Sequence, residues 1–304
     1  MIQITVQTTL EEKVISVENY FMPEPIQDQE FEIIRQMVYE QTGINLSPQK
    51  KIMVQSRLIK RLKEVKCPDF KQYVKICRSE PQERAIMFNL ITTNVTQFFR
   101  ENHHFEFINK FLPQYYQQAG PNKVINIWSA GCSTGQEPYS MAITLNEYFE
   151  KHKGDYKIVA SDINTEVLRR AQDGIYNFEE VNEIPYDFLK KYFRLGQGSN
   201  KGLFKMKEIL QRKIKFRQIN LADNNPEFLL DGQFDFIFCR NVFIYFDKQT
   251  KKRAIRKFYN KLYEGGCLFL GHSETLNTYD MTLGHWIPLE HTVYKKKDGG
   301  TPNE

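Results

Sequence analysis

The clearest chemical signal in the chain is Trp128-Ser-Ala-Gly-Cys-Ser-Thr-Gly-Gln-Glu-Pro-Tyr-Ser140, a glycine-bearing turn between an apolar run and a helical one. Glycine there lets the backbone turn tightly and lets a ligand approach closely. The turn lacks the complete G-x-G-x-x-G of dinucleotide folds, and no lysine follows it to cradle a phosphate. Asp162 closes a second apolar run, Ile158-Val-Ala-Ser-Asp162. A carboxylate at that place hydrogen-bonds the ribose hydroxyls of an adenosine cofactor. It lies 31 residues after Gly131, more than the ~20 expected for nicotinamide cofactors, with a long helix between.

Two other readings of the turn stand beside this one. Gly131-Cys-Ser133-Thr-Gly135 matches the G-x-S-x-G elbow of serine hydrolases, with His272, His285 and His291 downstream to complete a triad. Against that reading, the strand before the turn is the first of its sheet, and no H-G-G-G-type oxyanion loop precedes it. The plain alternative is a tight strand-to-helix turn with no ligand.

These residues need elements to hold them. From Glu30 the pattern is helical, with Phe31, Ile34 and Val38 on one face and Gly43 as the stop. Ser47-Pro48 reads as an N-cap with proline at the first helical position. The helix that follows runs to about Lys66, with Val54, Leu58, Leu62 and Val65 on one face and Lys50, Arg57, Lys60 and Arg61 on the other. Residues 28–118 read as an all-helical domain after a loosely held arm, 1–27. Beyond Gly120-Pro121 strands and helices alternate. Strands are expected at 124–128, 157–160, 234–239 and 267–270, and helices at 137–149, 164–171 and 248–263, with Gly265-Gly266 as a turn. That alternation predicts an open, mostly parallel α/β sheet over 119–297, followed by a tail, 298–304. The rhythm breaks at about 183–218, where short runs at 193–196, 203–207 and 214–219 suggest a small β insertion.

Composition excludes several classes. The chain has 304 residues, 41% hydrophobic and 26% charged, enough for a real core and not the profile of a disordered chain. No apolar run approaches the ~20 residues of a membrane span, and residues 1–14 lack the pattern of a secretory signal. A cytoplasmic location is the expectation. The five scattered cysteines form no C-x-x-C pair, which argues against a disulfide framework or a thiolate metal site. The net charge of +5 suits nucleic acid, a membrane surface or an acidic protein and does not choose among them.

Three further blocks are specific. They are Ile91-Thr-Thr-Asn94-Val-Thr96-Gln-Phe-Phe-Arg100-Glu, Phe234-Asp-Phe-Ile-Phe-Cys239-Arg240-Asn241-Val-Phe-Ile-Tyr245-Phe-Asp247 and Gly265-Gly-Cys-Leu-Phe-Leu-Gly271-His-Ser-Glu274. With the Gly131 turn and Ser161-Asp162-Ile163, they make the chain resemble the chemotaxis receptor methyltransferase (CheR) family, over about 28–296 and in the same order. The resemblance implies a Rossmann-like S-adenosylmethionine-dependent methyltransferase sheet with a small antiparallel β-subdomain, preceded by an all-α domain. It implies S-adenosylmethionine as cofactor and S-adenosylhomocysteine as product. By resemblance, Asn94, Thr96, Arg100, Gly131, Glu137, Asp162, Asn220, Leu221, Arg240 and Asn241 hold the cofactor, and Arg100 and Tyr245 serve the reaction. The partner implied is the cytoplasmic domain of transmembrane chemoreceptors. The spacing Gly196-x-Gly198-x-x-x-Gly202 resembles members whose β-subdomain docks a peptide from the receptor's C-terminal end.

The chemistry implied is methyl transfer from a sulfonium to a glutamate γ-carboxylate. That carboxylate is ionised at neutral pH, so no general base, metal or catalytic triad is expected. In-line alignment and removal of water are the tasks left to the enzyme. Receptor methylation regions are acidic helix, and the basic face of Lys50, Arg57, Lys60 and Arg61 is the expected contact. Two rivals remain. A base-amino nucleic-acid methyltransferase would carry Asn/Asp-Pro-Pro-aromatic where this chain has Arg240-Asn-Val-Phe243. A cofactor-binding signalling module without catalysis would keep the same fold.

Overall fold

The computed structural model describes residues 23–120, 123–223, 230–276 and 285–297. Residues 1–22 of the expected arm and the expected tail lie outside the described residues. Four helices come first: α1 (Asp28–Thr42), α2 (Lys51–Glu64), α3 (Phe70–Ser79) and α4 (Pro81–Ile91). Their apolar faces meet in one cluster that includes Ile34, Val38, Val54, Leu58, Leu62, Tyr73 and Met87. Gly43 ends α1 in a left-handed conformation, φ 70°, as its position suggests. A single 3-10 turn, Pro48–Lys50, precedes α2, and the Ser47 side chain makes no capping bond there.

Then follow α5 (His103–Ala119), β1 (Val124–Ala130), α6 (Gln136–Phe149), β2 (Asp155–Asp162), α7 (Thr165–Asp173), β3 (Ile175–Asn177), α8 (Phe178–Val181), α9 (Tyr186–Tyr192), β4 (Phe193–Leu195) and β5 (Leu203–Met206). The chain continues with α10 (Glu208–Gln211), β6 (Ile214–Gln218), β7 (Phe234–Cys239), α11 (Lys248–Lys261), β8 (Leu262–Leu270), β9 (Trp286–Glu290) and β10 (Val293–Lys296). The main sheet has the order β6-β2-β1-β7-β8-β10-β9. Its first five strands run parallel, and β10 runs antiparallel to its neighbours β8 and β9. β7 is buried at every position, as its unbroken apolar run predicts. Strands leave β1 in opposite directions, to β2 and to β7. The C-terminal end of β1 is therefore the topological switch point, where ligands bind in open α/β sheets.

The structure corrects the sequence reading in four places. First, α5 does not belong to the helical bundle. Phe105, Phe107, Ile108, Leu112 and Tyr115 pack into the sheet's core, so the helical domain ends near residue 92 rather than 118. Second, Ile214–Gln218 is not part of the insertion; as β6 it pairs with β2 at the edge of the main sheet. The small sheet has the order β3-β5-β4, is antiparallel, and begins at Ile175. Third, Gly265-Gly266 lies inside β8. A Cβ on Gly266 would sit 2.8 Å from the Asp235 carbonyl, so glycine permits the close approach to β7.

The fourth correction concerns the basic face of α2. Lys50 and Lys60 are exposed, but Arg57 and Arg61 are not free to meet a partner. Arg57 donates to the Ile91 and Thr92 carbonyls and the Thr93 hydroxyl, satisfying the open end of α4. Arg61 donates to both carboxylate oxygens of Glu83, at 2.9 and 2.6 Å, and Tyr73 donates to the same carboxylate. Arg61 and Tyr73 together hold the Glu83 carboxyl below its ordinary value, against burial. Reversing Arg61 to glutamate is therefore expected to destabilise the bundle by about 2–4 kcal/mol rather than to weaken a docking surface. A depressed carboxyl stabilises the fold above its unfolded value, and that stabilisation is lost as pH falls through the folded value. Urea midpoints of wild type and Arg61→Glu should hence diverge at neutral pH and converge below about pH 4.

Candidate active site

A cavity of about 470 Å³ opens at the switch point, between the sheet and the helical domain. That volume is in the range of small-molecule cofactor sites. One wall is the turn after β1. Gly131 has φ 91°, and a Cβ there would lie 2.5 Å from a methyl group of Val242. Only glycine lets the turn close against the loop after β7. The Gly131 and Cys132 N–H groups both donate to the Ser161 carbonyl at 2.8 Å, which fixes the turn to the end of β2.

Asp162 stands at that end of β2. One carboxylate oxygen accepts the Ser133 N–H at 2.8 Å and the other accepts the Asn164 N–H at 3.0 Å. Burial raises its carboxyl above the ordinary value, and these N–H groups oppose the rise. Asn220 and Leu221 follow β6 beside it. The Asn220 amide donates to the Gln41 carbonyl, so the same residue ties the sheet to α1.

The second wall is the linker between domains. The Ser133 hydroxyl donates to the Asn94 carbonyl at 2.8 Å, and the Phe99 N–H donates to the Ser140 hydroxyl at 2.9 Å. These bonds lay residues 94–100 over the glycine turn, so that Asn94, Thr96 and Arg100 line the cavity. Arg57 fixes the start of the same linker. The third wall is the loop after β7, with Arg240, Asn241 and Tyr245. The Asn45 N–H donates to the Tyr245 carbonyl at 2.8 Å, and Ile44 bridges Phe246, so the helical domain closes the cavity from above.

The structure thus gathers every residue expected at the cofactor, with Tyr245 and Lys50 also on the lining. Arg57, Lys60 and Arg61 are not on it. Arg240 also has partners within the protein. Its guanidinium is 2% exposed and bridges Glu101 at 3.2 Å and Glu137 at 3.1 Å, while also donating to the Arg100 carbonyl. Those partners hold Arg240 in the cavity wall. Burial raises the Glu137 carboxyl, with Arg240 and the Ser129 hydroxyl opposing the rise. Burial also acts on Glu101, but there Arg240 and the His272 N–H outweigh it and hold the carboxyl low.

Two functional carboxylates escaped the sequence reading. Glu101 directly follows Arg100 in a turn where Phe99 and Glu101 both have left-handed backbones, a conformation other residues seldom adopt. Glu274 is buried, and one oxygen accepts the Asn241 and Gly271 N–H groups at 2.9 and 2.7 Å. It also faces the N–H groups of Phe243 and Ile244, which orients the 3-10 turn that carries Tyr245. Both lie within blocks singled out above. Each is flanked by polar residues, so no local pattern marks it.

The hydrolase reading does not survive. Ser133 is engaged with the Asn94 carbonyl, and its N–H with Asp162. His272 and His291 lie near each other and near His103 instead, with ring centroids 5.1 Å apart for His272–His291 and 6.4 Å for His103–His291. His285 packs on Tyr259.

Comparison with known proteins agrees with this architecture. Residues 94–286 match the model described as CheR methyltransferase, SAM binding domain, and residues 29–92 match CheR methyltransferase, all-alpha domain. The chain is 41% identical over 246 residues to chemotaxis protein methyltransferase 2 of Pseudomonas aeruginosa, covering 81% of this chain and 86% of that protein. It is 39% identical over 255 residues to the chemotaxis protein methyltransferase of Klebsiella aerogenes, covering 83% and 85%. The Escherichia coli protein of the same name is 39% identical over 254 residues, covering 83% and 86%.

Proposed function

The chain belongs to the CheR methyltransferase family, and on that premise we propose that it esterifies glutamate side chains of chemoreceptors with the methyl group of S-adenosylmethionine. The cavity fits that cofactor. Asp162 offers a carboxylate at the place of a ribose, Leu221 and Ile163 offer apolar surface beside it, and no lysine sits at the glycine turn to favour a phosphate. When bound, the cofactor supplies a methyl group on a sulfonium, an electrophile that needs only an aligned nucleophile.

The observation that carries the choice of substrate is that, among the described residues, the carboxylates at and behind the cavity wall are all engaged. Glu137 and Glu101 are bound to Arg240, and Asp162 is bound to two backbone N–H groups. Among the described residues, no histidine lines the cavity. An amine or hydroxyl substrate would have to lose a proton, whereas a glutamate carboxylate is already the nucleophile at neutral pH. Tyr245 and the exposed face of Arg100 then orient that carboxylate, and closure by the helical domain removes its water. Lys50, exposed on the cavity's edge, with Lys60, is the remaining basic surface for an acidic receptor helix. The turn with Gly196, Gly198 and Gly202 between β4 and β5 is offered as the seat of a receptor peptide. The setting is the cytoplasm, at the receptors' inner domains; no described helix is long and apolar enough to cross a membrane.

The pH profile of methyl transfer tests this reading. With receptor in excess, kcat should be flat from about pH 6.5 to about pH 9 and fall only as the substrate carboxyl protonates, near its ordinary ~4.3. A rate that climbs through neutral pH would point to a base and to another nucleophile.

A further inference from the structure

Four of the chain's six histidines gather where α5 begins and where the chain turns after β8 and before β10. The rings of His103 and His104 are 4.1 Å apart, and His272 and His291 lie just outside them. His104 is fully buried. Its Nε2 lies 3.0 Å from the Thr292 hydroxyl, while its Nδ1 has no hydrogen-bond partner among the described residues. The His103 Nε2 is also buried without a hydrogen-bond partner among the described residues. A Glu101 oxygen lies 3.8 Å from the His104 Nδ1, and one donor atom from each of Glu101, His103 and His104 lies within 4.8 Å of the other two. Buried nitrogens without hydrogen bonds call for an explanation, and methyl-transfer chemistry supplies none.

We propose that Glu101, His103 and His104 form a site for a divalent metal of the zinc class, and that the metal inhibits the enzyme by drawing Glu101 away from Arg240. Two imidazoles and one carboxylate are a donor set for Zn²⁺ or Co²⁺, with a position left open; magnesium and calcium prefer oxygen alone. Thr292 supplies the hydrogen bond that holds a metal-binding imidazole in its tautomer, leaving Nδ1 free to ligate. Glu101 is one of two carboxylates on Arg240, and Arg240 holds the Arg100 carbonyl at the cavity. A metal that competes for Glu101 therefore loosens a cavity wall. The inhibitory half rests on the methyltransferase reading; the binding half does not.

The test uses the full chain with no histidine tag. Co²⁺ titration should give the visible ligand-field bands of a low-coordinate ion at one per chain, and Zn²⁺ should displace it. His103→Ala, at a partly exposed position, should weaken binding by about tenfold or more, whereas His272→Ala/His291→Ala should bind like wild type. Zn²⁺ should inhibit wild-type methyl transfer, a chelator should restore it, and His103→Ala should resist. Absence of Co²⁺ binding in wild type would overturn the site. So would loss of binding in the His272/His291 variant with retention in His103→Ala. Zn²⁺ bound through His103 with the rate unchanged would overturn the inhibition alone.

Discussion

Replacing Arg240 with alanine should cost about 3–5 kcal/mol of stability and most of the activity, because it removes the cation that bridges the carboxylates of Glu101 and Glu137. Both carboxylates lose their cation, and the Arg100 carbonyl loses its donor. The Glu137 carboxyl is already raised by burial, and without Arg240 it must rise further. A raised carboxyl favours the folded state at low pH, and that advantage is lost as pH rises through the folded value. The variant's deficit should therefore grow with pH. Urea midpoints of Arg240→Ala and wild type at about pH 5 and about pH 8 check this directly. Arg240→Lys should recover part of the stability but little activity, since one ammonium cannot reproduce a guanidinium fork on three acceptors. Equal stability of Arg240→Ala and wild type at both pH values would remove the ion triad from the account.

Asp162→Ala is expected to weaken S-adenosylhomocysteine binding by roughly a hundredfold or more. The carboxylate is proposed to accept both ribose hydroxyls, and each charge-assisted bond contributes on the order of 1.5–3 kcal/mol. Because Asp162 also accepts the Ser133 and Asn164 N–H groups, part of the loss passes through the glycine turn. Asp162→Asn separates the two effects. It keeps one acceptor oxygen for the turn but sets an amide NH2 against the other backbone N–H and loses the charge, so its melting temperature should fall less than that of Asp162→Ala while affinity still falls. Calorimetry on both variants, beside thermal melts, reads this out. Unchanged affinity in a folded Asp162→Ala would sink the ribose assignment.

The parallel sheet could be read from the sequence because parallel strands buried on both faces leave unbroken apolar runs, as in Phe234–Cys239. The cofactor residues could be found because they cluster on the loops that end such strands. Periodicity, however, does not say which core a helix joins. α5 has an amphipathic pattern like that of α1 to α3, yet its aromatic face packs on β7 and β8 through Phe238 and Phe269. β6 alternates because it is an edge strand buried on one face, and an insertion strand alternates for the same reason. β3, with three residues, is too short to show any period.

The basic face of α2 failed for a different reason. Arg57 and Arg61 do lie off the apolar stripe, but long guanidinium side chains reach partners on α4, the carbonyl of Ile91 and the carboxylate of Glu83. Such tertiary partners leave no trace in a helical wheel. The Glu101–Arg240–Glu137 triad joins three elements far apart in sequence, and no local pattern announces it.

The central claim is that the product is a carboxyl ester. Incubating the chain with methyl-labelled S-adenosylmethionine and membranes containing chemoreceptors should label receptor protein, and mild alkali should release the label as methanol. Esters are cleaved by base, whereas N-methyl groups and methylated nucleobases are not. Label that survives alkali, or that follows nucleic acid rather than receptor, would contradict the account.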